Sequence, residues 1–196
     1  MGRGGSHKNM KKPEISSTIH KTRAIVHNAL FSSISLILAL FGNITIFPIF
    51  PFLKLDFSEF PVYLATLIYG IPSGLSVLFT VSLIRMLLFS TSGIIGFIIR
   101  SSSVIIILFL GLSLRFKNKI LKFFIITIGL CINITVKLLL NYYFWINFFA
   151  ISREFLSSAL FKIILPYNFI KLSLCIILAI YFKKYIKNKL KGSYEI

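Results

Sequence analysis

The sequence predicts an all-α membrane protein of six transmembrane helices with both termini in the cytoplasm, and three observations carry that prediction. Of its 196 residues 57% are hydrophobic, with a mean hydropathy of +0.89, whereas a soluble domain is about 45–50% apolar. The chain divides into apolar runs, and at about 20 residues per crossing it has room for about six helices and little else. The net charge of +17 comes from 22 Lys and Arg against five acids. It gathers at the two ends and in one internal loop rather than along a face that would track nucleic acid. Six crossings put those three segments on one side, and the positive-inside rule makes that side cytoplasmic.

Taken in order, residues 1–22 are polar and basic and lack an apolar core. They read as a disordered cytoplasmic tail and not as a signal peptide. A membrane domain follows over residues 23–186, and residues 187–196 form a basic cytoplasmic tail. The first span runs from Ala24 to Phe41. Its Ala29 and Ser33 are four apart, a spacing that lets another helix approach closely; packing inside the domain is the simpler use of such a face.

The organising element is an external loop, residues 43–61. Its segment FPIFPFLKLDFSEFP carries Pro48, Pro51 and Pro61, each removing a backbone donor and biasing the residue before it away from helix. Lys54, Asp56 and Glu59 lie among Phe and Leu there. That mixture suits a loop folded over an apolar cavity, or an aromatic-rich loop at the membrane surface. The run from Val62 to Tyr69, closed by Gly70 and Pro72, is too brief to cross unless it starts inside the loop or tilts. Further runs span Ser73–Phe89, Gly96–Leu114, Ile120–Phe144 and Tyr167–Phe182, with a small-residue turn at Ser90–Gly93. Between them lie a basic loop with Arg115, Lys117, Lys119 and Lys122, and a mixed segment, Trp145–Pro166, that reads as a re-entrant or surface helix.

Polar residues inside the apolar runs point to function. Lys137 and Asn141 are four apart, Asn168 and Lys171 three apart, so each pair shares a helix face. With six spans, both pairs fall at the outer side beneath the organising loop. Ionisable groups at bilayer depth cost about 2.5–3.5 kcal/mol, so they line cavities or pair. Lys and Arg can instead snorkel to headgroups, which is the main reading of Arg85 and Arg100. Asn cannot do so, and an amide with both donor and acceptor suits the edge of a heterocycle.

Catalytic patterns are missing from the sequence. There is no GxxxxGK[ST] phosphate loop, HExxH or CxxC. His7, His20 and His27 all fall toward the N-terminus, and Cys131 and Cys175 sit in apolar runs as small core residues. The reading is a binding protein and not an enzyme.

Specific stretches add a family. FPFLKLDFSEFP at residues 50–61, the Gly70-Ile71-Pro72 turn, Leu140-Asn141-Tyr142-Tyr143-Phe144 and Leu165-Pro166-Tyr167-Asn168-Phe169-Ile170-Lys171 resemble the RibU family, the riboflavin-binding S components of energy-coupling factor (ECF) transporters. The likeness covers residues 23 to 190. It implies a six-helix S-component fold in a bacterial plasma membrane, with riboflavin as transported ligand and no cofactor. It further implies flavin contacts from Asn141, Asn168 and Lys171, with Leu53, Lys54, Leu55 and Asp56 of the covering loop as further contacts. A transmembrane coupling subunit would pack on Ala29 and Ser33, which match an AxxxA motif, and two separate ATP-binding subunits would hydrolyse ATP. Residues 92–100, SGIIGFIIR, depart from the family pattern by lacking its Gly-Glu and Asn. An S component for FMN or another vitamin, a structural membrane protein without a ligand, and an intramembrane enzyme are the alternatives.

Overall fold

Prolines and glycines mark several of the helix ends of this protein. The computed structural model describes residues 12–41, 43–45, 54–88, 93–149 and 160–192. Helix α1, Lys12–Phe41, carries Pro13 and Glu14 in its first turn, where a missing N–H and a negative charge both suit the helix N-terminus. Residues 12–22 are therefore helical and not a disordered tail. Beyond Pro13 they contain no residue that breaks a helix, and polarity alone does not end one.

Two short strands, β1 (Asn43–Thr45) and β2 (Lys54–Asp56), pair antiparallel with Asn43 opposite Asp56, Ile44 opposite Leu55 and Thr45 opposite Lys54. The expected loop over 43–61 thus contains a hairpin. It ends early, because helix α2 already starts at Glu59 and runs to Tyr69. Pro61 sits in the first turn of α2, where its absent N–H removes no helical hydrogen bond. Gly70 stops the helix at φ 93°, a conformation that a residue with a Cβ rarely adopts.

Helix α3 follows as Ile71–Leu88. The expected fourth span is two helices, α4 (Gly93–Ser101) and α5 (Val104–Ser113), broken at Ser102–Ser103. Helix α6 spans Lys119–Phe149. A π-helical turn, Leu160–Ile164, leads into the last helix, α7, Leu165–Gly192. Of the expected surface segment 145–166, α6 takes the start and α7 the end, while residues 150–159 lie outside the described residues. The basic tail expected from residue 187 is helical as far as Gly192.

Among the described residues five segments are long and apolar enough to cross a membrane: Thr22–Phe41, Ile71–Leu88, Gly93–Ser113, Lys119–Phe144 and Lys162–Asn188. Against the expectation of six spanning helices stand these five and the short α2, whose 11 residues reach about 16 Å, roughly half of an apolar bilayer core of about 30 Å. Helix α2 is instead the centre of the packing. It contacts α1, α3, α5 and α7, and Pro61 through Leu67 are all buried. Val62, Tyr63 and Ala65 join Val77, Leu78, Val81, Ile107, Leu110, Leu172 and Cys175 in one apolar core.

Close approach of α2 and α3 depends on Gly74, where an added Cβ would run into the Thr66 side chain and stand 3.3 Å from Ile107 Cγ2. Gly74→Ala is therefore expected to lower the unfolding temperature in detergent, at an overpacking cost of about 1–3 kcal/mol. Adding Thr66→Ala should recover part of that loss. An unchanged midpoint for the single variant would show that the two helices can part without penalty.

Candidate ligand-binding site

Six charged side chains from six elements meet at the end of the helices that carries the hairpin. Asp56 closes β2, and its Oδ1 accepts the backbone N–H of Ser58 at 2.7 Å, the local turn that Asp favours before a helix. Its Oδ2 takes Arg85 Nη1 of α3 at 2.6 Å and Arg100 Nη2 of α4 at 3.1 Å. Ser58 Oγ accepts from both arginines, Arg85 Nη1 at 3.1 Å and Arg100 Nη1 at 2.9 Å. The Ser58 carbonyl accepts from Ser35 Oγ of α1.

One helical turn on, Glu59 is 3% exposed and binds four side chains. Lys137 Nζ of α6 donates at 3.1 and 3.4 Å, and Lys171 Nζ of α7 lies at 3.5 Å. Tyr63 Oη donates to Oε2 of the same carboxylate. Ser103 Oγ, at the break between α4 and α5, donates to it at 3.2 Å. That break is itself held by α6, because Asn133 Nδ2 donates to the Ser102 carbonyl at 2.6 Å. Charges buried this deeply persist only when paired and hydrogen-bonded, and both carboxylates meet that condition.

Asp56 sits on the hairpin, outside the spanning helices. Burial pushes its carboxyl up, but Lys171, Arg100, Arg85 and the Ser58 hydrogen bond outweigh burial and hold it well below the usual carboxylate range. It is an anion at neutral pH.

The residues singled out from the sequence divide into groups. Lys171 joins the charged cluster, and Asp56 anchors it. Asn168 and Asn141 lie one turn from Lys171 and Lys137 toward the hairpin end. Each donates its Nδ2 to the carbonyl four residues earlier, Ile164 at 2.9 Å and Lys137 at 2.7 Å. Two amides thus stand about one helical turn, 5–6 Å, above a floor of Glu59 and two ammonium groups, each keeping an acceptor oxygen. Lys54 and Leu55 are on β2, while Leu53 lies outside the described residues. Ala29 and Ser33 are both exposed on α1, so this small-residue pair is not used in packing within the described domain.

Arg85 and Arg100 are not anchors to headgroups; they are the partners of Asp56. Glu59 and Lys137 are the other members of the cluster that sequence reasoning did not place in a site. The signal available was scarcity. With five acids in the whole chain, an acid and a lysine inside apolar stretches have few partners other than each other.

Comparison with known proteins bears on what this arrangement is for. A family model described as ECF transporter, substrate-specific component, matches residues 23–183. The chain belongs to that family. A solved structure described as the S component of a bacterial ECF transporter superposes with a TM-score of 0.67 at 25% identity, covering 87% of this chain and 99% of that one. No curated protein matches the chain. The protein is thus an S component, a multi-pass membrane subunit that binds substrate, of a family that works with a coupling membrane subunit and ATPases.

Glu59→Gln would leave two buried ammonium groups without a carboxylate and is expected to destabilise this S component by about 3–5 kcal/mol, read from unfolding in detergent. The Asp56 contribution has a defined pH window. With its folded pKa depressed, the stabilisation is complete above the unfolded value of about 3.9 and is lost as pH falls from there through the folded pKa. The gap in unfolding midpoint between the native protein and Asp56→Asn should stay constant from about pH 5 to 8 and close below about pH 4. A gap that does not depend on acid would mean that Asp56 acts through shape and not charge.

Proposed function

We propose that this S component captures riboflavin at the outer face of a bacterial plasma membrane and passes it inward with a coupling subunit and two ATP-binding subunits. The observation that carries the reading is the layered pair Asn168–Lys171, set in the segment that resembles the riboflavin-binding members. The isoalloxazine ring presents carbonyls and an N–H on one edge and flat apolar faces elsewhere. The acceptor oxygens of Asn141 and Asn168 suit the ring N–H, and their remaining amide donors with the Lys171 ammonium suit the carbonyls. Asp56, Lys54, Leu55 and Leu53 belong to the loop that would cover the site.

Both termini are cytoplasmic in this proposal, consistent with the basic ends of the chain. Ala29 and Ser33 are the surface for the coupling subunit, since they are small, exposed and on a helix face that the domain leaves uncovered. ATP hydrolysis is left to the partner subunits.

A flavin absorption spectrum at about one equivalent in the detergent-purified protein is the direct test. Lys171→Met and Asn168→Leu should each weaken riboflavin binding by about 1–3 kcal/mol with helix content intact; unchanged affinity in both would remove these residues from the site. Ala29→Trp should block assembly with the coupling subunit and leave vitamin binding alone. Loss of binding in that variant would instead make this face part of the fold.

A further inference from the structure

The charged cluster is unbalanced. Among the described residues Arg85, Arg100, Lys137 and Lys171 pair only with Asp56 and Glu59, leaving an excess of two positive charges in a largely buried place. Among the described residues no other acid comes near enough to neutralise it. The remaining acids are Glu14, Glu154 and Glu195. Glu14 is in the first turn of α1, whose far end adjoins β1, a separation of about 40 Å along the helix axis. Glu154 and Glu195 lie outside the described residues.

The imbalance also has a direction. The Lys137 and Glu59 side chains are 5% and 3% exposed, those of Lys171 and Arg100 are 11% and 13%, and that of Arg85 is 25%. The most accessible charge of the cluster is therefore Arg85, with Arg100 and Lys171 behind it. Arg85 uses Nη1 for both Asp56 and Ser58, and among the described residues its Nε and Nη2 have no hydrogen-bond partner. A planar, charged fork is the group that suits a phosphate or carboxylate.

Repulsion between like charges in a low-dielectric place is relieved by an anion and not by a neutral molecule. A phosphate monoester carries about −1.5 to −2 at pH 7, which matches the excess. We infer that the ligand enters with an anionic group, a phosphate, seated on Arg85 and Arg100. Resting on the flavin reading above, this makes riboflavin 5′-phosphate a better ligand than riboflavin. The ring lies against Asn141, Asn168 and Lys171, and the phosphate end of the ribityl chain meets the arginines. Arg100 closes the segment that departs from the riboflavin-binding pattern, so the two differences fall together.

The test is a parallel titration of the full-length detergent-purified protein with riboflavin and with FMN, followed by quenching of flavin fluorescence. FMN should bind more tightly by about ten-fold or more, the usual advantage of a charge-assisted pair over a neutral contact. Arg85→Gln should shrink the ratio of the two affinities toward one, and Arg85→Lys, which keeps the charge, should retain part of it. Riboflavin binding equal to or tighter than FMN overturns the inference and leaves the riboflavin reading standing. A ratio that survives Arg85→Gln overturns the assignment to this arginine pair. Binding of neither flavin overturns the flavin reading itself, and the inference with it.

Discussion

The Glu59 carboxylate is the constraint around which the rest of this membrane domain is arranged. It opens α2, the short helix at the centre of the packing, at the end where a helix favours negative charge. It is 3% exposed, so its charge must be met by protein groups, and those groups come from far along the chain. Lys137 lies 78 residues away on α6, Ser103 lies 44 away at the α4–α5 break, and Lys171 is on α7. A buried pair of this kind adds little net stability compared with apolar packing. What it does is fix position: three helices cannot shift along α2 without uncovering a charge.

The four residues from Asp56 to Glu59 carry this further. Asp56 binds α3 and α4, Ser58 binds α1 through Ser35, and Glu59 binds α6, α7 and the Ser103 break. One turn of chain therefore touches every long helix at the hairpin end. The strand β2 leads directly into that turn, so the hairpin and the helix positions share one set of bonds. Any event that moves the hairpin at Asp56 must break or re-pair two arginine contacts, which couples loop position to the charge state of the site.

Helices were legible in the sequence because hydropathy and length report them directly; the cluster was only half legible. The spacings of Lys137–Asn141 and Asn168–Lys171 identified two helix faces correctly, since three and four residues define a face whatever the tertiary fold. The partner of each charge is a different matter. Arg85 and Arg100 each sit near the end of an apolar run, where a headgroup anchor and an internal ion pair look alike in one dimension. Only the turn that brings Asp56 between α3 and α4 separates them. The break at Ser102–Ser103 has no proline or glycine to announce it; it is held by Asn133 from another helix. The helical start at Lys12 was hidden for the opposite reason: a polar composition was read as disorder although nothing there prevents a helix.

Helix α1 shows how one element can serve the inside and the outside of the domain with the same kind of residue. Its buried contacts are made by Ser32, Ser35 and Ala39, spaced three and four apart, which lets α1 lie close to α2 and α3. The second set of small residues, Ala29 and Ser33, has the same four-residue spacing on an exposed face, with Ser33 Oγ turned back onto the Ala29 carbonyl at 3.0 Å. That hydrogen bond removes the hydroxyl as a polar intruder and leaves a shallow apolar track. Flanking Ile25, Val26, Leu30 and Ile37 are exposed as well, so the track is a groove between larger side chains. In lipid, apolar exposure alone gives no drive to associate; close packing against small residues does. The inner stripe is already filled by α2 and α3, and the outer one has the same geometry with no neighbour from the described chain.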